Sequence, residues 1–417
     1  MKKIVYYFIV AVLFILLSFS PYILLISSGF SLILIGASNH KDNGELFSFS
    51  LIVFTMALIV YVLSIPNFLV SSDDFTSYYN NFVNMNHGDV GIAFDEFGLE
   101  FGLPLINYFL TFVIDGNYPY IFKFWHSLLN ISMLIFLLIY VSSKKKLNKK
   151  EMLLLFSFVF ILYKLPQQLH LMRQGYASYF VLFALFSEKK SSRCLFLLIG
   201  SLFHLSTVVI FPFLWLMFKV ESLKSVFKYS FAFLLMSFVF FSISKMGLFF
   251  NVPLLSKFNF ILGYLGSDEH IDRTVSEVLK ALLYFYPLIF LSIYYRWKNK
   301  TTTNESCFIL VSLSFLLAFS MFPGLGMRVY MPIFSIFLGY YYFSLIKNQP
   351  VAVKLSCLAF LFLMLNVNWV FNSELFYYQY PMYSLEPFYY LDVWQEEKDL
   401  ICRECLPYFY EIDNKYK

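Results

Sequence analysis

The stretch "IFKFWHSLLNISMLIFLLIYV", residues 121–141, is followed at 144–150 by "KKKLNKK". A helix needs about 20 mostly apolar residues to cross the hydrocarbon of a bilayer, and 121–141 supplies them. The connector then packs five lysines into seven positions, the mark of a cytoplasmic loop. Span and connector together predict a membrane-spanning helix with its C-terminal end inside the cell. Because lipid offers the backbone no hydrogen-bond partner, they also predict an all-α fold for the rest of the membrane domain.

The whole chain reads the same way. Of 417 residues, 59% are hydrophobic and 14% charged, with 54 Phe and 32 Tyr, and the mean hydropathy is +0.69. A soluble domain with these runs would aggregate, so the sequence predicts a polytopic integral membrane protein. The charge-free region Ile4–Asn39 is longer than a signal-peptide core and reads as uncleaved membrane structure, broken near Pro21 and "SSG" at 27–29. Further spans are expected at 46–65, 121–141, 151–167, 174–187, 195–218, 229–249, 278–295, 308–322, 329–346 and 355–371. That gives ten to twelve crossings in a single transmembrane domain, 1–371, followed by an acidic and aromatic tail, 372–417. The net charge of +5 collects in short connectors rather than on one face. It suits orientation in the membrane and not nucleic-acid binding.

Basic clusters at 187–193, 296–300 and 347–354 should lie inside with 144–150, which places 66–120, 168–173, 250–277 and 323–328 outside. The parity then fails at "KVESLKSVFK", 219–228, which also looks cytoplasmic. A re-entrant segment over 195–218, turning back around "FHLS" at 203–206, restores it, as does a misplaced end elsewhere. Cys402 and Cys405 are two potential ligands, too few for a zinc site, and read equally well as a local disulfide or as two thiols. No metal and no cofactor are expected.

Charged residues at helix mouths on one side of a membrane are default functional candidates. On the expected outer side these include Asp73 and Asp74, Glu96, Glu100, Arg173, His270, Arg273 and Arg328. Arg173 and Arg328 each follow an outer loop and open an apolar helix, where the positive helix end disfavours a cation unless an anion compensates. Guanidinium groups and exposed amides both suit phosphate oxygens, so the pair can hold a diphosphate; snorkelling to lipid headgroups is the competing reading. His204 interrupts an apolar run at the expected helix break. Asp73 and Asp74 with Tyr78 and Tyr79 form a segment able to grip sugars by hydrogen bonds and stacking, or an ordinary polar loop. Glu96 and Glu100 share a face only if 95–103 is helical, which Gly98 and Gly102 oppose. "FGLPLINYFLTFVI", 101–114, is too short to span and is expected to lie in the outer leaflet.

These residues resemble the EpsG-like family of bacterial polysaccharide polymerases, relatives of the Wzy O-antigen polymerases. The likeness rests on Asp73 or Asp74 followed by Tyr78, on "EFGLPLINYF" from Glu100, on "RQGYA" from Arg173 to Ala177, on "FHLS" at 203–206, and on Arg328 with Tyr330. The chain departs from the pattern at Gly175, where an apolar residue is commoner, and lacks a proline directly after Glu100.

The resemblance implies a glycosyltransferase of the bacterial inner membrane with its active site on the periplasmic face. The growing glycan would pass from undecaprenyl diphosphate to the non-reducing end of a lipid-linked oligosaccharide repeat unit. In that reading Arg173 and Arg328 bind the diphosphate, while Glu100, Asp73 or His204, in that order, serve as base. Asp74, Tyr78 and Gln174 contact the glycan, membrane lipids surround the chain, and a separate chain-length regulator is a family expectation. The alternatives are a flippase or carrier of the lipid-linked glycan, an O-antigen ligase, or a transferase using a lipid-phosphate sugar. The large outer loop and the absence of visible repeat symmetry weigh toward the polymerase.

Overall fold

A computed structural model describes residues 11–13, 15–38, 44–63, 74–114, 116–245, 285–294, 303–319, 325–371 and 388. Among these residues there are helices and turns and no strand. In chain order the helices used below are α1 Pro21–Ala37, α2 Gly44–Leu63, α3 Asp74–Asn86, α4 Val90–Asp95, α5 Gly102–Thr111 and α6 Pro119–Lys144. They continue with α7 Lys149–Leu162, α8 Leu165–His170, α9 Met172–Leu185, α10 Lys190–Phe203, α11 Thr207–Phe218 and α12 Leu223–Lys245. Then follow α13 Phe285–Tyr294, α14 Asn304–Ala318, α15 Leu325–Met331, a π-helical segment Pro332–Phe337, α16 Leu338–Ile346 and α17 Val351–Phe371.

Three helices among the described residues are long and apolar enough to cross a membrane: Gly44–Leu63, Pro119–Lys144 and the run Arg328–Ile346. Shorter apolar helices accompany them at Pro21–Ala37, Thr207–Phe218, Phe285–Tyr294, Asn304–Ala318 and Val351–Met364. The expected spans 151–167, 174–187 and 195–218 are instead built from broken helices. α7 stops at Leu162, before Pro166; a new helix begins at Met172 after the irregular Leu171; and α10 stops at Phe203, where His204 is extended with φ −156° and ψ 119°. At about 1.5 Å per residue, a 14-residue helix such as α9 covers about 21 Å, short of a full crossing. Broken helices at membrane depth are tolerated where their ends are buried in protein or line a polar cavity. The predicted interruption at "FHLS" is therefore present.

The chain divides into two compact units, residues 1–205 with 335–339 and 347–417, and residues 206–334 with 340–346. In the first, α1 and α2 pack as a hairpin and α7 joins α1 and α17. The lysine connector is a tight turn: Leu147 N donates to Ser142 O, Lys146 takes φ 51°, and Asn148 with Glu151 forms a reciprocal capping box that starts α7. Lys144 lies 3.7 Å from Glu188 and Lys347 lies 3.5 Å from Glu151. The basic connectors 144–150, 187–193 and 347–354 thus share one end of this unit, and Arg173 stands at the opposite end of α9.

The second unit is organised by aromatic packing. Phe213, Phe233, Phe315 and Phe319 interlock between α11, α12 and α14, with Phe233 and Phe315 edge-on at 5.0 Å. Ser230 donates to Ser314 at 2.7 Å, and Tyr330 OH donates to Met217 Sδ at 2.7 Å.

Candidate active site

Glu100 comes first, because its placement organises the rest. α4 ends at Asp95, the chain turns through Gly98 at φ 56°, and α5 begins at Gly102. Residues 95–103 are therefore not one helix, and Glu96 and Glu100 serve different environments. α5 lies so close to α10 that a Cβ on Gly102 would meet Phe203 Cγ at 2.9 Å and Leu202 O at 3.0 Å. Only glycine permits that approach, which brings the Glu100 carboxylate to the break after α10.

There Glu100 Oε1 accepts from the Leu205 backbone N–H at 2.7 Å and lies 3.3 Å from His204 Nδ1. Its Oε2 accepts from Arg173 Nη1 at 2.6 Å. Glu100 is the anion that compensates a guanidinium at the N-terminal end of α9, where the helix field alone would oppose it. Burial by itself would raise the Glu100 pKa. The hydrogen bond and charge of His204, the Leu205 amide and the charge of Arg173 outweigh burial and hold it at about 2. A carboxylate with both oxygens engaged and that acidity is a weak proton acceptor at neutral pH.

Arg173 is fixed on its faces as well as its edge. Its guanidinium carbon lies 4.5 Å from the Phe97 ring centre and 5.7 Å from that of Tyr78, both within cation–π range. Nη1 is committed to Glu100, while Nε is buried without a hydrogen-bond partner. About a quarter of the side chain remains accessible. Tyr78 is buried, and its hydroxyl pKa is pushed up to about 12, by burial first and the Asp74 charge second, with Arg173 opposing. It therefore stays a neutral phenol. Asp74 itself is exposed at the first turn of α3.

The fold thus brings Glu100, Arg173, His204 and Tyr78 together. Gln174, next to Arg173, is buried. Gly175 has a local reason: a Cβ there would meet Gln168 Oε1 at 2.7 Å and Gln168 O at 3.0 Å, so α9 can approach α8 only with glycine at that position. Arg328 belongs to the second unit, where it is exposed on α15 while Tyr330, two residues on, turns inward. Asp73, His270, Arg273, Cys402 and Cys405 lie outside the described residues. Among the described residues no group of three or more His, Cys, Asp and Glu is placed to hold a metal.

Two components were not foreseen from the sequence. The Leu205 amide becomes a donor only because the helix breaks at His204. The other is a buried polar chain beneath the site. Tyr176 on α9 meets His126 Nδ1 at 2.9 Å, and His126 Nε2 meets Asn107 Oδ1 at 3.2 Å. Asn107 Nδ2 donates to Asn81 Oδ1 at 3.0 Å and to Tyr78 O at 3.3 Å; Asn81 Nδ2 donates to Ala93 O at 2.6 Å and to Glu96 Oε2 at 3.1 Å. His126 lies within the apolar span at 121–141, where a fully buried imidazole is itself a signal of a polar partner.

No curated protein and no solved structure matches the chain. A family model does, over residues 50–384, which include Glu100, Arg173, His204 and Arg328. Its description is the EpsG family, whose membership points to a glycan polymerase-type membrane protein. The match covers most of the sequence, and the chain belongs to the EpsG family.

Proposed function

We propose that this protein is a polysaccharide polymerase of the bacterial inner membrane. It would transfer a growing glycan from undecaprenyl diphosphate to the non-reducing end of a lipid-linked repeat unit, at a site facing the periplasm. The observation that carries the reading is the clamped guanidinium of Arg173, in a family of glycan polymerases. A donor of this type expels a lipid diphosphate, and the developing negative charge calls for a cation that is already in position. Arg173 is such a cation, and Arg328 is proposed as a second.

The acceptor hydroxyl attacks the anomeric carbon of the donor glycan, the bond from that carbon to the diphosphate oxygen breaks, and the diphosphate leaves with the electron pair. The hydroxyl proton needs an acceptor. With Nδ1 donating to Glu100, the neutral His204 ring carries its lone pair on Nε2, and the carboxylate stabilises the imidazolium that results. We assign His204 as the base and Glu100 as the residue that orients both His204 and Arg173. Asp73, Asp74, Tyr78 and Gln174 remain the proposed contacts to the glycan.

The test is deletion of the gene followed by gel analysis of surface glycan. A polymerase deletion leaves the lipid core capped with a single repeat. Bare core with accumulated lipid-linked polymer would assign a ligase instead, and bare core with no polymer would assign a flippase.

A further inference from the structure

The chain Tyr176–His126–Asn107–Asn81–Glu96, buried except at Glu96, touches nothing in the proposed reaction directly, yet three of its members lead to Arg173. Tyr176 is three residues from Arg173 on α9, so the two project from neighbouring positions of the helix surface. Glu96 precedes Phe97, whose ring covers the guanidinium at 4.5 Å. Asn107 holds the backbone carbonyl of Tyr78, whose ring lies 5.7 Å from the guanidinium.

The hydrogen-bond directions along the chain are consistent throughout. Both Asn107 amide protons are used on Asn81 and Tyr78, so Asn107 Oδ1 must accept, and His126 Nε2 must be the donor. The neutral His126 ring then accepts at Nδ1 from the Tyr176 hydroxyl. Both Asn81 amide protons go to Ala93 O and Glu96. Asn81, Asn107 and His126 are completely buried, and Tyr176 nearly so. A fully satisfied polar chain of this kind admits one register, because any slip leaves a buried donor unmatched.

We propose that this chain is the positioning element of Arg173. It locks α3, the α4–α5 turn and α5 onto α6 and α9 in the one arrangement that puts Glu100 on the guanidinium edge and Phe97 and Tyr78 on its faces. His126, Asn107, Asn81 and Tyr176 are positioning residues, and the proposal rests on the diphosphate-binding role assigned to Arg173 only for its functional consequence.

The test uses the full-length protein in detergent. Tyr176→Phe removes one hydroxyl from one end of the chain, and Asn81→Ala breaks the other end, so either folded variant is decisive. The first readout is independent of function: the rate at which phenylglyoxal modifies Arg173, with Arg193 as internal control. Loosening a hydrogen-bonded guanidinium should speed modification at Arg173 about fivefold and leave Arg193 unchanged. An Arg173 rate equal to wild type in the folded variants would overturn the proposal.

The second readout is binding of geranylgeranyl diphosphate. Tyr176→Phe should weaken it about tenfold in the native background and leave it unchanged in Arg173→Ala. Equal weakening in both backgrounds would show a merely structural role and also overturn the proposal. If Arg173→Ala alone binds the probe as wild type does, the diphosphate assignment fails, and the phenylglyoxal rates still decide whether the chain positions Arg173.

Discussion

Glu100 and Arg173 are 73 positions apart in the chain and meet at 2.6 Å. One lies in the turn between two short helices and the other opens a half-length helix. That pairing ties the turn before α5 to the start of α9, and it sets what substitutions there should do.

Replacing Glu100 with Gln keeps the shape and removes the charge. Arg173 then loses its compensating anion and His204 the carboxylate that stabilises its cation. Losing one partner of a hydrogen-bonded, largely buried charge pair costs about 1–3 kcal/mol. Long glycan should disappear from the gel, with the protein still inserted and melting several degrees lower. Glu100→Gln with normal chain lengths would remove Glu100 from the site.

The low pKa of Glu100 fixes a pH dependence. Its folded value, about 2, lies below the usual glutamate value of about 4.3. The stabilising contribution is therefore fully present above the unfolded value and is lost as pH falls from about 4.5 toward 2. Thermal unfolding of wild type and Glu100→Gln should differ clearly at pH 6, and the gap should close toward pH 2. A gap of constant size would mean that the carboxylate is not held in its ionised form.

Arg173→Lys retains a positive charge and loses the planar fork. A single ammonium cannot pair with Glu100, lie flat against Phe97 and meet a diphosphate together. Polymerisation should fall at least about tenfold, as expected when about 1.4 kcal/mol of transition-state stabilisation is lost. An in vitro polymerisation rate within twofold of wild type would show that charge alone suffices.

Gly102→Ala tests how the site is assembled. The added methyl meets Phe203 and the Leu202 carbonyl, and relieving that overlap moves α5 away from α10 and Glu100 away from the Leu205 amide. Overpacking of this kind costs about 1–3 kcal/mol. Gly91→Ala, with open space around its Cβ, is the matched control and should be silent by melting temperature and by chain length.

Several elements of this arrangement were legible in the sequence, and particular residues explain why others were not. The lysines at 144–150 mark a connector because charge clustered between two apolar runs is legible without any tertiary partner, and Asn148 with Glu151 caps the helix that follows. The expected break around "FHLS" rests on the parity of the basic connectors. The half-length helices at 149–162 and 172–185 read as full spans in the sequence because hydropathy measures composition and cannot see that Leu171 leaves helical geometry. Glu100 and Arg173 stand out as charges at helix mouths and His204 as a polar residue inside an apolar run. Their contact was hidden because it depends on Gly102 letting two helices approach, a tertiary fact with no periodicity. His126, Asn107 and Asn81 carry no sequence signal for a related reason: their partners lie 12 to 50 residues away.

The central claim is that Arg173, held by Glu100, receives the lipid diphosphate leaving group. The most direct measurement is the product ladder made by purified protein from a lipid-linked repeat unit, wild type against Arg173→Ala, with folding of both confirmed by melting temperature. The account predicts a ladder for wild type and a single unpolymerised repeat for Arg173→Ala. A ladder of wild-type length from the folded variant would contradict it.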